Sequence, residues 1–333
     1  MPPFAQMPLP DENGVLHQNE EPLQKLPFSM QIANLAAVFL PPVFLVIGMI
    51  LLWGWGFAWT HLILMTLMYI FTGYGITVGY HRYFTHKSFE APSWVKNGLA
   101  ILGSMAAEGP LLRWVAHHRQ HHQHSDKHDD PHSPHLHGGG LWAMTKGLWH
   151  AHAGWMFTPD APNLHRYVVD LAGDKSLVWI SRMFPIWVAL GLTIPAVIGG
   201  LLTLSWPGVL LGLIWGGIIR IAVVHHITWS VNSICHVWGT QPFRTHDHSK
   251  NNGIVGVLAL GEGWHNNHHA FPTSARHGLR WWEFDSSYVV IWVMAKLGMA
   301  RKVRVPTTEM MEAKRADRTS SAILQTSAPT EVT

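Results

Sequence analysis

The chain has 333 residues, 48% of them hydrophobic and only 13% charged, with 18 tryptophans, 25 histidines, one cysteine and a formal net charge of +3. This is more apolar than an ordinary soluble domain. The lone Cys235 excludes an internal disulfide and any cysteine-built zinc or iron–sulfur site, and the small, dispersed positive charge argues against nucleic acid as a partner.

In chain order, residues 1–29 lack apolar periodicity and read as a loose tail without a secretory signal. A bilayer-spanning helix needs about 20 mostly apolar residues, and four stretches qualify: 32–53, 59–80, 178–204 and 209–231. The first two are joined by the uncharged "GWGFAW" and the last two by "SWPG", so each pair predicts a hairpin. Arg182 and Arg220 fall within the third and fourth stretches, and an arginine at that depth is expected to face the protein interior.

Two hairpins place the N-terminus, residues 81–177 and everything after about 232 on one side. Arg82, Lys87, Arg113, Arg119, Lys127, Arg244, Arg276 and Arg280 all lie there, which makes that side the cytoplasm by the positive-inside rule. The apolar but interrupted run 94–112 predicts a helix at the interface or against the bundle. The expected architecture is therefore an all-α integral membrane protein. One domain over 30–305 holds four transmembrane helices in two hairpins beneath a cytoplasmic helical cap (81–177 and 232–305), and 306–333 forms a second loose tail.

The histidines cluster. "HRYFTH" carries His81 and His86, "HRQHH" carries His118, His121 and His122, and "HNNHH" carries His265, His268 and His269. The spacing i, i+3, i+4 puts each of the latter triplets on one helical face. His81 and His86 diverge by about 140° on an ideal helix, so they either flank a site from two directions or the helix loosens there. Asn232 and His236 sit at i, i+4 where the fourth span ends.

Nine imidazoles exceed what one zinc takes. Imidazole suits iron, zinc, copper and nickel, so the set predicts two ions of coordination above four, iron by preference. Asp129, Asp130 and His132 in "DDPH", and Glu262 before the last triplet, are candidates to receive the other ring N–H of a ligand. His225 and His226 lie inside the fourth span and are expected to pack or hydrogen-bond. Taken singly, each cluster also reads as a solvated histidine-rich helix.

Together "GITVGYHRYFTH", "WVAHHRQHH…SDKHDDPH", "TWSVNSICHVWG" and "GEGWHNNHHAFP" resemble the signatures of the membrane fatty-acid desaturases, specifically the stearoyl-CoA desaturase-like delta-9 group, over roughly residues 60–300. "SARHGLRWWEFD" further resembles bacterial and cyanobacterial members. The resemblance implies a di-iron centre under which O2 and two electrons convert a saturated long-chain acyl group to a cis alkene. Its ligands would be His81, His86, His118, His121, His122, His236, His265, His268 and His269, with Asn232 acting through a water. It also implies an apolar substrate tunnel bent at Trp114, Thr228 and Trp229 and closed at Tyr69 and Gly73.

Two positions depart from the family. Ala116 stands where animal relatives carry a basic residue that helps hold coenzyme A, and Glu108 stands where an uncharged amide is expected, so a lipid-bound acyl chain is as good a substrate as acyl-CoA. No donor domain is encoded in these segments, which implies an external ferredoxin, rubredoxin or cytochrome b5-type electron donor. The expected location is a bacterial inner or thylakoid membrane, with both termini and the site cytoplasmic. A hydroxylase or ketolase on the same scaffold is the nearest rival. A metal transporter or haem-binding electron carrier would instead place its ligands deep in the spans.

Overall fold

The computed structural model describes residues 28–157 and 162–316. Among these, all regular structure is helical, apart from isolated bridge contacts. Helix α1 (Phe28–Leu51) is followed by a short turn and by α2 (Trp59–Thr85). Next come α3 (Ser93–Met105), α4 (Leu111–His124), α5 (Leu141–His152) and the single turns α6 (Leu164–Tyr167) and α7 (Val169–Ala172). The chain then forms α8 (Lys175–Arg182), α9 (Phe184–Thr203) and α10 (Trp206–His236). The short α11 (Gly253–Leu258) and α12 (His265–Ala270) precede α13 (Ser286–Lys296) and α14 (Thr308–Ala313).

Three helices, α2, α9 and α10, are long and apolar enough to cross a membrane. In α1 the described apolar stretch, Val38–Leu51, is shorter than a span. Phe71, Leu201 and Leu210 are exposed on these long helices, as is Phe44 on α1. Such outward apolar faces suit lipid contact and do not suit water. The protein is a membrane protein.

The expected third span, 178–204, is two helices. Asp174 caps α8 by accepting from the backbone N–H groups of Ser176 and Leu177, and α8 ends at Arg182. Pro185 then occupies the first turn of α9, where its missing N–H costs nothing and its fixed φ favours a helix start. Arg182 is thus outside the span. Arg220 is inside one but buried, donating to the carbonyls of Gly216, Met105 and Gly191 and to the Thr72 hydroxyl.

The second half of α2, Gly75–Thr85, is wound as a π-helix with i→i+5 hydrogen bonds. Helix α3 lies directly against it. A Cβ on Gly75 would stand 2.2 Å from the Gly103 nitrogen, so only glycine permits this crossing. Tyr80 then reaches Ser104, their hydroxyls 2.8 Å apart. The run 94–112 is therefore a helix packed on the bundle that turns into α4. Around this junction lies the main core, including Val78, Phe84, Leu111, Val115, Ile180 and Ile291.

The N-terminal tail lies almost wholly outside the described residues. Of the expected C-terminal tail, residues 306–316 are described, and they include α14. Thr307 caps α14 by accepting from the Met310 N–H (3.3 Å), and Arg244 N–H donates to the Lys314 carbonyl (2.8 Å). A capping threonine and backbone pairing hold this segment although it has no apolar stripe.

Candidate metal centre

Four segments deliver the histidines: the end of α2, the length of α4, the end of α10 and the short α12. They converge into two groups. His81, His86, His118, His122 and His268 form one and His121, His236, His265 and His269 the other, with the ligand atoms of each group within 4.8 Å of one another. Each triplet is divided between the groups. His118 and His122 serve the first while His121 serves the second; His265 and His269 serve the second while His268 crosses to the first. One helical face thus addresses two groups, because i and i+4 point together and the residue between them is rotated toward the neighbouring group.

The π-winding of α2 resolves the awkward spacing of His81 and His86. The His86 N–H donates to the His81 carbonyl (3.2 Å), an i→i+5 bond that places residues five apart on adjoining turns. Their rings come to 4.9 Å between centroids. The helix loosens, and both imidazoles face one site.

The inward nitrogens are crowded. The Nε2 atoms of His81 and His268 lie 3.1 Å apart, those of His118 and His122 3.1 Å, those of His122 and His268 2.8 Å, and those of His236 and His265 3.1 Å. The buried Nε2 atoms of His86, His121 and His269 have no hydrogen-bond partner. On the opposite edge of the rings, His81 Nδ1 meets Glu262 (2.6 Å), His121 meets Asp130 (2.9 Å), His236 meets Asp126 (2.9 Å) and His269 meets Asp247 (2.7 Å). A carboxylate only accepts, so in His121, His236 and His269, which hydrogen-bond their aspartates, Nδ1 carries the proton and Nε2 is left as a bare lone pair. Bare lone pairs facing one another in a buried volume are what a cation satisfies. The residues present fit two metal ions.

Electrostatics agree with that form. Burial, reinforced by neighbouring imidazoles, holds His86, His118, His122, His265 and His268 well below the usual histidine range. Burial takes His269 down to about 4. These rings are neutral, as metal ligands must be. Burial also lowers His121, but the Asp130 carboxylate outweighs it and leaves a net upward shift. Burial raises Asp126, Asp130 and Asp247, yet their histidine contacts dominate and hold all three carboxyls well below the ordinary range.

Of the supporting residues expected from sequence, Asp130 and Glu262 contact ring nitrogens of the groups. His132 is buried beside His121, with ring centroids 4.6 Å apart. Asp129 does not reach the centre. It is exposed and pairs with His128 (3.1 Å), because the turn after α4 directs Asp130 inward and its neighbour out. Asp126, Asp247 and His277 were missed. The first two sit 110 and 22 residues from the histidines they touch, a separation no local motif signals. His277 packs on His268, ring centroids 4.5 Å apart, and lies 3.3 Å from Glu262; its place in "SARHGLRWWEFD" was the one available hint.

Beside the centre lies an apolar cavity of about 870 Å³. Its walls include His81, His118, His265 and Asn232 at one end, and Trp114, Thr228, Trp229, Tyr69 and Gly73 elsewhere. Trp114 stacks on His118 at 5.1 Å. Tyr69 donates to the Leu258 carbonyl, and a Cβ on Gly73 would stand 2.8 Å from the Leu260 side chain. Glu108 also lines the cavity and accepts from the Trp114 indole N–H at 2.9 Å. Burial pushes its carboxyl up to about 7, against the lowering bonds from Thr228 and Trp114. His225 and His226 donate to the carbonyls of Ala106 and Val38, so they do hydrogen-bond.

A nitrogen-rich site in two groups thus borders an apolar cavity in a membrane protein. The Fatty acid desaturase family profile matches residues 53–301. The chain is similar to a hex-5-enoyl-[acyl-carrier protein] acetylenase of Moorena producens (42% identity over 83% of this chain and 87% of the relative). It is also similar to sn-1 stearoyl-lipid 9-desaturases of Synechocystis (39% over 78% and 76%) and Anabaena variabilis (39% over 75% and 86%). The chain belongs to the fatty acid desaturase family, and it is a fatty acyl desaturase.

Replacing Asp247 by Asn is expected to weaken metal retention roughly 10–100-fold, read as metal content against increasing chelator; unchanged retention would remove Asp247 from the support of the centre. Glu108 gives a pH test. Its folded value of about 7 lies above its ordinary 4.5, so its contribution to stability is complete below 4.5 and lost as pH rises through 7. In detergent, the Tm of the wild type should fall relative to Glu108→Gln between pH 5 and 8; parallel curves would refute the assignment.

Proposed function

We propose that the chain is an O2-dependent di-iron desaturase that introduces a cis double bond, at delta-9, into a long acyl chain carried on a membrane lipid. The observation that carries this reading is that both histidine groups reach the apolar cavity, His81 and His118 from one and His265 from the other. The proposed ligands are His81, His86, His118, His122 and His268 at one ion, and His121, His236, His265 and His269 at the other, with Asn232 through a water. When bound, the iron pair supplies from O2 and two electrons an oxidant strong enough for an unactivated methylene.

The chain's own residues supply position. A saturated acyl chain has no polar handle near its middle, so regioselectivity comes from how far it enters and where it bends. Trp114 is held by Glu108 beside His118, and with Thr228 and Trp229 it shapes the cavity next to the metal-facing rings. Tyr69 and Gly73 limit the depth. Burial keeps water away from the reacting carbons, and Asp126, Asp130, Asp247 and Glu262 fix the orientation of the rings. Ala116 and Glu108, both unsuited to a phosphate-rich carrier, and the names of the two cyanobacterial relatives favour a lipid-linked substrate over acyl-CoA.

We place the protein in a bacterial inner or thylakoid membrane with four spans, α1 completing the hairpin with α2, and with both termini and the site cytoplasmic. The acetylenase relative supports a second reading, in which an existing double bond is dehydrogenated further. A cavity of about 870 Å³ is near the upper end of ligand pockets and favours a long chain over a six-carbon one.

Expression in a host without unsaturated fatty acids, followed by mass spectrometry with double-bond location, tests the reaction. A new cis monoene that disappears in His268→Ala is expected; a hydroxylated or acetylenic product, or full activity in the variant, would reject it. In the same host, Gly73→Leu should shift the product toward shorter chains. An unchanged profile from an active variant would separate Gly73 from chain-length control.

A further inference from the structure

A second pocket, of about 550 Å³, borders the metal centre and shares no lining residue with the apolar cavity. The histidines divide between the two. His81, His118 and His265 face the cavity, whereas His86, His122 and His269 form part of the second pocket. The centre is therefore a partition between an apolar space and an independent polar one.

That polar space is cationic. Arg119, Lys127, Arg244 and Lys314 line it, against a single carboxylate, Asp247, which is committed to His269. Arg119 is neutralised by Asp170 at 2.7 Å. Lys127, Arg244 and Lys314 are exposed, and among the described residues none of the three has a carboxylate partner. Arg244 and Lys314 spend hydrogen bonds on the carbonyls of Ala313 and Ala270, which fixes their positions without cancelling their charge. Three uncompensated cations around one recess, two of them held in place, steer and orient an anionic partner.

We propose that this pocket is the docking site of an acidic one-electron carrier protein, which passes electrons to the metal centre through His86, His122 and His269. The proposal rests on the desaturase reading. Each double bond converts –CH2–CH2– with O2, two electrons and two protons into –CH=CH– and two waters. The described residues hold no reductant, so on this reading two reduced carriers each dock and give up one electron. They cannot use the apolar cavity while the acyl chain fills it, and the second pocket reaches the same centre from its other side, at His86, His122 and His269. An acidic acyl carrier protein fits the charge but not the position, because a chain entering there would meet the histidine wall and not reach Tyr69 and Gly73.

The test uses metal-loaded, detergent-solubilised protein and a plant-type [2Fe–2S] ferredoxin as the acidic probe. Binding is read by fluorescence anisotropy at several salt concentrations, together with the KM for reduced ferredoxin. Affinity should fall with salt, and Lys127→Glu and Arg244→Glu should each weaken binding and raise KM roughly tenfold. Lys146→Glu, an equal charge change on α5 away from the pocket, should not. Unaltered binding in both pocket variants, or equal weakening in Lys146→Glu, overturns the proposal. So does displacement of ferredoxin by holo-acyl carrier protein with the same Lys127 dependence, which would assign the pocket to the substrate carrier. Unsaturated product in cells without ferredoxin binding would sink the docking site alone; pocket-dependent binding without unsaturated product would sink the desaturase reading.

Discussion

The rest of this structure depends on gathering nine imidazoles into two adjoining groups, with their ring nitrogens turned inward. Four pairs of Nε2 atoms stand only 2.8–3.1 Å apart, so the orientation of the rings has to be set from outside the groups. Hydrogen bonds on the outer edges do the holding. Asp126, Asp130, Asp247 and Glu262 each accept from, or pair with, one Nδ1, which sets the tautomer and the ring plane together. Two loops and the turn before α12 must be correctly placed for that to happen, so the cap's irregular segments are as much part of the centre as its helices.

Beneath the centre a buried charge network ties the end of α2 to the last third of the chain. Arg82, fully buried, donates to Glu262 (2.5 Å), Asp285 (3.1 Å) and the carbonyls of Ala275 and Thr77. Its planar fork places every N–H on an acceptor, the condition under which a buried ion pair is tolerated. Glu262 consequently serves two masters: one oxygen accepts from Arg82 and the other meets His81 and His277. Loss of either Arg82 or Glu262 would strand a buried charge, at a cost of about 3–5 kcal/mol, and would release His81 at the same time.

The membrane-embedded part imposes its own constraint, which is close approach. The α2–α3 crossing has glycine on both sides, at Gly75 and Gly103, and it fixes where the π-wound segment carrying His81 emerges from the bundle. The same segment shows why local rules were ambiguous. From spacing alone His81 and His86 diverge, and only the packing that drives Gly75–Thr85 into i→i+5 bonding brings them together.

Much of the site was legible in the sequence. Histidine triplets at i, i+3, i+4 are local, so the helical period alone puts their side chains on one face, and long apolar runs alone announce a membrane. The buried Arg220 and the hydrogen-bonded His225 and His226 also follow from depth in an apolar run. What only the tertiary structure decided is every pairing across distance. It divides each triplet between two sites, sends Asp130 inward and Asp129 outward, and recruits Asp126, Asp247 and His277. It also ends α8 at Arg182 before α9 begins and pairs Arg244 with Lys314. The physical reason is common to all of these: periodicity tells which side of a helix a residue occupies, but the partner that satisfies it is chosen by where other segments come to rest.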